Sequence, residues 1–563
     1  MGKEGGVQVL NLLDLEKMEV VMIFIRISAL AVLTVILLSG PAFGVGDDAP
    51  GIEMARQATK GKELWITADH SKFDALKQPF ETGPEVTKAC LSCHTEAGHQ
   101  FHKTIHWTWL DPKAEKEMGI GKGGLVLNNF CISIQSNEPR CTSCHAGYGW
   151  KNKNFDFKSE TKIDCLVCHE QTGTYKKFPS GAGNPAPAPG KLFKGDGKFY
   201  KSPDWNKVAQ SVSRPTRANC GTCHFYGGGG DGVKHGDLDS SMRMPSKNLD
   251  VHMSMDGQKF ECSRCHTTVK HQIAGRIYSN PAATDRKSLL EDDLGAKIMC
   301  ESCHSATPHK SEIGMKLNDH TDKVACQSCH IPTFARELPT KMWWDWSKAG
   351  NMKDGKPYVV KGEWGRPIYM SKKGDMRWEK NVVPEYYWFN GTIESITAKT
   401  VIDPGAPVKV SRPIGSSMDH KSRIMPFKVH RGKTPYDVVN KNMIIPHLFG
   451  KDPAAYWKGY DWVKASAFGM AYAGLPFSGD VGFVDTEYVY PITHMVAPKD
   501  NVLACEACHS KQSRLSNLTT FYMPRRDASR VVDAGGWFIV IASAVGVILH
   551  ALGRIFIKGR KED

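Results

Sequence analysis

Hydrophobic residues form two long runs, one near each end of the 563-residue chain. The first run, residues 27–38, follows Arg26 and precedes small residues at 41–44, which is typical of an export signal with a cleavage site. Acidic residues before this run are unusual for such a signal, so we expect translation to start at Met22 or the segment to remain as an uncleaved anchor. Residues 1–44 are therefore predicted to be a signal peptide or export segment.

The second run, residues 537–557, is apolar apart from His550 and Arg554 and is long enough to cross a bilayer. Basic residues follow it, so the positive-inside rule predicts a transmembrane helix with a cytoplasmic tail at 558–563. Residues 527–536 would be the linker to this helix. A buried core helix is the alternative interpretation.

The region between the two runs, residues 45–526, contains no internal repeat of the length that solenoid proteins use. We predict a single domain of short helices and long loops with little sheet. Residues 179–190 are rich in Pro and Gly and are predicted to be an exposed loop. Residues 331–504 are rich in Trp, Tyr, Pro and Lys and are expected to pack over the core of this domain.

Eight copies of the pattern Cys-x-x-Cys-His lie within this domain. The pattern attaches haem c, because its two thiols bond the haem and the next histidine binds the iron. One copy would also suit a zinc or redox dithiol site, but eight copies exclude that interpretation. The motifs are Cys90/Cys93/His94, Cys141/Cys144/His145, Cys165/Cys168/His169, Cys220/Cys223/His224, Cys262/Cys265/His266, Cys300/Cys303/His304, Cys326/Cys329/His330 and Cys505/Cys508/His509.

The eight motifs use all but one of the 17 cysteines, which leaves Cys131 alone and no pair for a disulfide. Eight covalently attached haem c groups, each with its iron, are therefore the predicted cofactors, and their apolar rings would form much of the core. The predicted fold class is mainly α with extensive loops, organised around the eight haems, plus the C-terminal transmembrane helix.

The formal net charge of +14 does not indicate a nucleic-acid partner. Ionised propionates on eight haems would offset much of this charge, and reduction of the irons would lower it further. The positive charge that remains in the oxidised protein would attract small anions modestly. It does not indicate which anion binds.

The histidines are numerous enough to give every haem a second axial ligand. A haem with two strong ligands transfers electrons, whereas a haem with an open position binds substrate, and the count alone does not reveal such a position. Because His271 and His309 each lie five residues after a motif histidine, we expect them to bind a neighbouring haem. Outside the motifs and residues 537–557 the candidates are His70, His99, His102, His106, His235, His252, His271, His309, His320, His420, His430, His447 and His494. Those favoured as second ligands are His106, His235, His252, His271, His309, His320 and His494.

Two features near the second motif add candidate chemistry. Cys131 lies ten residues before Cys141 and is either a reactive thiol or an inert buried cysteine. Lys151 and Lys153 follow the motif closely. A buried lysine beside iron can lose its proton and become a ligand, although a surface lysine is the more ordinary interpretation.

Several stretches, among them CTSCHAGYGWKNKNFDF at 141–157, resemble the tetrathionate-reductase-like octahaem cytochromes c, which are related to hydroxylamine oxidoreductase and pentahaem nitrite reductase. The resemblance covers about residues 80–520 and implies seven haems with two histidine ligands and one reactive haem with a lysine ligand and a nearby cysteine. It assigns the reactive haem to the second motif, the cysteine to Cys131 and the lysine to Lys151, with Lys153 as the alternative. The other resembling stretches are 82–94, 106–109, 127–131, 164–169 and 220–239.

The resemblance implies an exported reductase, tethered on the periplasmic side of the cytoplasmic membrane, that acts on a small sulfur or nitrogen compound. Tetrathionate, nitrite and hydroxylamine define the expected substrate class, with His106 as a candidate proton donor. The alternative is a non-catalytic subunit that carries electrons from a quinol-oxidising membrane cytochrome to other acceptors. A homo-oligomer is compatible with both functions.

Overall fold

The computed structural model describes residues 68–111, 119–275 and 299–557, together with Gln57. The predicted export segment at 1–44 and the predicted tail at 558–563 lie outside the described residues. All eight Cys-x-x-Cys-His motifs lie within them.

The helices before residue 331 are short, and most of them carry or adjoin a motif. The first helix begins with a capping box, in which Thr82 and Glu85 satisfy each other's backbone N–H groups. The described helices are α1 Gly83–Leu91, α2 Ala97–Phe101, α3 Ile105–Thr108, α4 Glu138–Cys141, α5 Leu166–His169, α6 Trp205–Gln210, α7 Arg217–His224, α8 Cys262–Cys265, α9 Glu301–His304, α10 Glu312–Asn318, α11 Cys326–His330, α12 Tyr456–Gly459, α13 Trp462–Tyr472 and α14 Arg530–Ile557.

The described strands lie mostly between residues 340 and 491. Nine of them form one sheet, in the order β13-β17-β15-β5-β10-β9-β8, with β11 and β16 also paired to β15. The strands are β1 Gly190–Phe193, β2 Lys198–Lys201, β3 Thr268–Val269, β4 Gln272–Ile273, β5 Thr340–Asp345, β6 Met352–Lys353, β7 Lys356–Pro357, β8 Val359–Lys361, β9 Pro367–Met370, β10 Gly374–Glu379, β11 Glu385–Phe389, β12 Thr392–Ser395, β13 Val408–Lys409, β14 Ser411–Ile414, β15 Arg423–Asp437, β16 Asn442–Met443 and β17 Val481–Pro491.

The nine-stranded sheet corrects our prediction of a mainly helical fold with little sheet. Its long central strand β15 contains Pro426, Pro435 and several charged residues, which locally argue against a strand. Pairing with β17 from Phe427 to Asp437, with β11 from Arg423 to Phe427, and with β5 in parallel near Arg431 overrides that local preference. Both faces of β15 are largely buried, so the strand lacks the alternating pattern that would have revealed it.

The largest hydrophobic cluster lies between this sheet, helices α12 and α13, and the loop at 125–132. Trp344 and Trp346 stack at 4.8 Å within it, and both are fully buried. Phe130 packs into the same cluster, and Cys131 lies at its edge. The sheet therefore holds the Cys131 loop in place from one side.

The Pro- and Gly-rich segment at 179–190 is not the exposed loop that we predicted. Its backbone bonds to the chain around the second motif, from Ala182 N–H to Pro139 O and from Gly149 N–H to Ala182 O. Gly183 has a φ of +89°, and a Cβ there would lie 2.2 Å from Gly147 O. Only glycine permits so close a contact, so this segment packs directly against the backbone of the second motif.

Helix α14 extends from the domain with its described side chains exposed. Its length and apolar composition are sufficient to cross a membrane. Exposed apolar side chains such as Trp537, Phe538 and Ile541 continue along it without a protein surface to cover them.

Candidate functional site

A branched cavity of about 3660 Å³ runs through the domain. Thiols of the first six motifs line it, together with Cys326 of the seventh. This volume is far larger than the pocket of an ordinary small ligand and suits several large apolar rings. The residues present therefore fit a set of covalently bound haems that share one interior.

Six motif histidines each face a second histidine from a distant part of the chain. The ring centroids are 5.9–6.3 Å apart, which leaves room for an iron bound to both rings by metal–nitrogen bonds of about 2 Å. The pairs are His94 with His70, His224 with His106, His266 with His494, His304 with His252, His330 with His309, and His509 with His320.

A seventh pair is indicated by electrostatics. Burial lowers the pKa of His271, and the charge of His169, the third motif histidine, lowers it further. The His271 ring is held by Gln100, whose side-chain oxygen is 3.2 Å from Nδ1. His271 therefore lies within electrostatic range of His169 and lines the same cavity, which makes it the candidate second ligand of the third site.

The structure departs from our favoured second ligands at two histidines, His235 and His70. His235 faces the ring of Tyr490 at 5.0 Å and is not paired with a motif histidine. His70 takes the position opposite His94, and nothing in its local sequence distinguishes it from the other candidates. His106 faces His224, so its ring is placed to bind iron and not to supply protons to the second motif.

The histidine of the second motif neither lines the cavity nor faces a second histidine, whereas each of the other seven motif histidines, all described in the structure, does one or both. His145 is fully buried, and its Nε2 lies 2.7 Å from the backbone oxygen of Trp107. Trp109, Trp150 and Phe155 close around the ring at 4.8–5.6 Å. Burial in this apolar box lowers the pKa of His145 to about 3. The cysteines of this motif still line the cavity, while the histidine does not.

Lys177 is buried beside the second motif. Its side chain is 4% exposed, and its amine donates to the backbone oxygens of His145 and Gly147. The same amine lies 2.9 Å from a carboxylate oxygen of Asp164, which is completely buried. The charge of Lys177 also influences Cys144, which places the amine beside the second motif.

A hydrogen-bond network fixes the carboxylate that holds Lys177. Tyr148 donates to one oxygen of Asp164 at 2.8 Å, and Tyr175 donates to the other at 2.9 Å. The backbone N–H of Val167 also donates to Asp164 at 3.0 Å. Burial and the Asp164 charge raise the pKa of both tyrosines well above the usual value, so they remain donors.

Neither lysine suggested by the sequence lies at this position. Lys151 is exposed, and Lys153 is exposed with its amine over the ring of Tyr472 at 5.5 Å. Neither side chain lines the cavity. The turn after the second motif directs both of them to the surface, whereas Lys177 returns from a segment further along the chain. Lys177 lies more than 30 residues after the second motif, so the residues adjacent to the motif could not identify it.

Cys131 does line the cavity, beside Cys141 and two lysines of the sheet region. A thiolate at Cys131 would raise the pKa of the Cys141 thiol and of Lys341 and Lys373. Burial lowers the pKa of both lysines. The structure thus brings the unpaired cysteine, the second motif and two sheet lysines together.

Four lysines face this part of the cavity, and in the described part of the chain none of them forms an ion pair. The Lys341 amine contacts the sulfur of Met376 at 2.9 Å and lies over the rings of Trp344 and Trp378, at 3.5 and 5.1 Å from their centroids. Burial and then the charge of Lys122 lower the pKa of Lys234 to about 7. The four residues are Lys122, Lys234, Lys341 and Lys373. We call them the lysine cluster.

Contacts between thiols of different motifs give the spatial order of the sites. Close sulfur contacts join Cys90 with Cys165, Cys144 with Cys223, Cys220 with Cys262, and Cys300 with Cys326. Longer-range interactions join Cys168 with Cys220, Cys265 with Cys303, and Cys329 with Cys508. The sites therefore follow the order first, third, fourth, fifth, sixth, seventh and eighth, and the second branches from the fourth.

Three comparisons show which known proteins this chain resembles. Residues 341–512 match the family model described as bacterial cytochrome c, a region that includes the nine-stranded sheet. The crystal structure of octaheme cytochrome c from Shewanella oneidensis is similar with a TM-score of 0.69 and 44% sequence identity, over 80% of this chain and 95% of that chain. An uncharacterized protein of Archaeoglobus fulgidus is 23% identical over 278 residues, which are 42% of this chain and 88% of that protein.

The chain belongs to the octahaem c-type cytochrome family, as its sequence predicts. It is a multihaem electron-transfer or redox protein with covalently bound haem c. The count of eight haems agrees with that relative and with the eight motifs.

Proposed function

We propose that the protein is a membrane-tethered periplasmic reductase of a small sulfur or nitrogen compound, with its reactive centre at the second motif. The observation that carries this proposal is the position of His145 in its aromatic box. Among the described residues this is the one motif whose histidine does not line or face a haem position. A site that lacks two strong ligands is where substrate can bind.

Lys177 is proposed as the axial ligand of this centre in place of His145. An amine binds iron only when it is neutral, so the proton of Lys177 must leave before ligation. Asp164 then accepts a hydrogen bond from the remaining N–H, and Tyr148 and Tyr175 keep the carboxylate in position. Such a partner orients a metal ligand and increases its basicity.

When bound, the haem would supply a Lewis-acidic iron with an open position and a route for electrons. The chain supplies the rest of the site. Cys131 and the lysine cluster lie around Cys141, and their uncompensated amines would bind and orient an anion. Cys131 is proposed to contact the bound substrate.

Tetrathionate suits this site because its reduction needs electrons and no protons. Two electrons break the central sulfur–sulfur bond, and two thiosulfate dianions leave. Reduction of nitrite or hydroxylamine also consumes protons. Lys234 is a suitable donor for those substrates, because a group with a pKa of about 7 is poised to give up a proton at neutral pH.

The remaining sites would deliver electrons to the second through the fourth, which is joined to it by the Cys144–Cys223 contact. Helix α14 is proposed to anchor the domain to the cytoplasmic membrane from the periplasmic side. A quinol-oxidising membrane cytochrome is the expected electron donor. No nucleic-acid partner is proposed, and a homo-oligomer is compatible with this arrangement.

A second candidate function rests on the exposed apolar helix α14. It would make the protein a non-catalytic subunit that passes electrons from a membrane donor to other acceptors. Under this alternative the second site would carry two strong ligands like the rest. The lysine cluster would then have no anionic substrate to bind.

Spectra of the purified oxidised holoprotein distinguish the two functions. We expect one haem in eight to respond to nitrite or hydroxylamine, and reduced viologen to be oxidised when tetrathionate is added. Eight unresponsive low-spin haems, with no viologen oxidation by any of the three compounds, would overturn the reductase proposal.

A further inference from the structure

The eighth motif is bonded directly to the chain that leads into helix α14. The His509 ring is 3.3 Å from the backbone oxygen of Pro524. Lys511 donates to the backbone oxygens of Arg526 and Ala528, at 2.9 Å in each case. The helix begins two residues later, at Arg530. These bonds attach the eighth site to the chain immediately before the base of this helix.

The guanidinium of Arg526 strengthens this attachment. It donates to the backbone oxygens of Leu515, Leu518 and Phe521, and it pairs with Asp527 at 2.7 Å. Hydrogen bonds to charged groups are stronger than neutral ones. The segment between the eighth motif and the helix is thus anchored to the domain by side-chain hydrogen bonds.

The eighth site also lies at one end of the array and near the surface. Its thiols interact at longer range with Cys329 of the seventh motif. Cys505 and the second ligand, His320, are exposed, whereas the second motif lies on an interior branch. Electrons that enter at the eighth site would pass the seventh, sixth, fifth and fourth before they reach the second.

The surroundings of this site suit a membrane surface. Helix α14 becomes continuously apolar at Trp537, about 10 Å along the axis from Arg530 at 1.5 Å per residue. Tyr522 is 64% exposed and would lie at the level of the lipid headgroups, where aromatic residues are favoured. Exposed Lys511, Arg525 and Arg530 add positive charge on the same side.

We propose that the site between His320 and His509 is the electron entry port, and that it receives electrons from a quinol-oxidising protein embedded in the same bilayer. The proposal rests on the membrane anchoring given above under the proposed function. For each quinol oxidised to quinone, the donor would release two protons and pass two electrons, one at a time, to this port. The second site, which branches from the fourth, would be the other end of the electron-transfer path.

The position of the port can be measured without any substrate. Full-length holoprotein is placed in lipid nanodiscs that contain phospholipids with a spin label at the headgroup. The His320/His509 rings are nearly perpendicular, at 89°, which gives their haem a resonance distinct from that of the nearly parallel His309/His330 pair, at 11°. We expect the labels to enhance relaxation of the former signal at least threefold and to leave the His70/His94 signal unchanged.

A spacer variant is the matched control for this measurement. A flexible Gly/Ser insertion of about 30 residues after Ala528 would separate the domain from the helix by roughly 30 Å. The enhancement should then disappear while the spectrum remains. Equal enhancement at both ends of the array, or none at the eighth site of the unmodified protein, would overturn the proposal.

The direction of entry is tested with membranes that contain the full chain and their own quinol pool. Exchange of one histidine for methionine raises the potential of that haem and makes it a trap for electrons. We expect His320→Met to slow reduction of the remaining haems by quinol at least tenfold and His70→Met to change it less than twofold. The reverse order would overturn the proposal.

Soluble reduced viologen separates this proposal from the proposed function. Viologen can reach every exposed site, so viologen-driven reduction of tetrathionate should persist in the spacer variant. If that activity is absent from the unmodified protein, the reductase proposal fails while the port can still be measured. If viologen-driven activity persists but the headgroup labels do not affect the eighth site, only the proposal of an electron entry port is overturned.

Discussion

The second and fourth motifs have the same five-residue pattern and adjacent thiols, yet they build different sites. His224 of the fourth motif faces His106 at 6.2 Å, as an electron-transfer haem requires. His145 of the second motif is buried among Trp109, Trp150 and Phe155, and the amine of Lys177 bonds to its backbone oxygen. The pattern therefore fixes where a haem is attached, while its surroundings fix what the haem can do.

The largest expected effect comes from removing the lysine that distinguishes the second site. Lys177→Ala should lower tetrathionate reduction at least 100-fold, because the ligand that holds the site is lost and Asp164 is left buried without its cation. The oxidised spectrum should change for one haem only. Both effects are measured on purified holoprotein by viologen oxidation and by magnetic resonance.

The neighbouring Lys176 is the matched control, because it is exposed and lies one residue away. Lys176→Ala should leave the spectrum and the rate within about twofold of the parent, as expected for a surface residue. A Lys177→Ala protein with an unchanged spectrum would mean that the second site does not use this lysine.

The next effect tests whether the lysine cluster selects anions. Lys341→Met should raise KM for tetrathionate by about tenfold to 100-fold and change KM for neutral hydroxylamine much less, because only the anion loses a charge partner. Steady-state kinetics with both substrates measure the difference. The exposed Lys353→Met is the control, and equal losses for both substrates would contradict a role in charge selection.

A smaller effect should appear in the pH dependence of anion binding. The pKa of Lys234 is lowered to about 7 by burial, so its positive charge is present below pH 7 and lost above it. Tetrathionate affinity should therefore fall several-fold between pH 6 and about 8. Lys234→Arg keeps its charge and should flatten the profile, and an unchanged profile in that variant would exclude Lys234 as the cause.

The smallest effect is purely spectroscopic and concerns the paired sites. Ring planes are nearly parallel in three pairs and steep in three others, so the oxidised protein should show two groups of low-spin signals with different anisotropy. Low-temperature magnetic resonance checks this, and a single group would contradict the ring geometry. The angles are 22° for His70/His94, 28° for His266/His494, 11° for His309/His330, 63° for His106/His224, 66° for His252/His304 and 89° for His320/His509.

Much of the chemistry could be predicted from local sequence. Two thiols and a histidine in five residues are a complete attachment site, so the motifs required no knowledge of the fold. Cysteine counting likewise isolated Cys131, which the structure brings beside Cys141. The apolar composition of residues 537–557 predicted a transmembrane helix, and α14 is long and apolar enough to cross a membrane.

The second ligands could not be assigned in the same way, because each comes from a remote segment. His494 reaches the fifth motif more than 200 residues before it, and Asp237 fixes its ring at 3.1 Å. His235 was favoured from the sequence, but it faces Tyr490, whereas His70 proved to be the partner of His94. The number of histidines in a sequence does not specify which of them the fold places next to a given haem iron.

By itself, the sequence determined how many haem-attachment motifs the chain contains, which cysteine is left over and where an apolar helix lies, since these depend on neighbouring residues alone. Only the tertiary structure decided that the sheet strand β15 forms despite its prolines, that Lys177 and not Lys151 adjoins the second motif, and that the eighth motif is fixed to helix α14. These features depend on contacts between distant segments, whose burial and hydrogen bonding outweigh local preference.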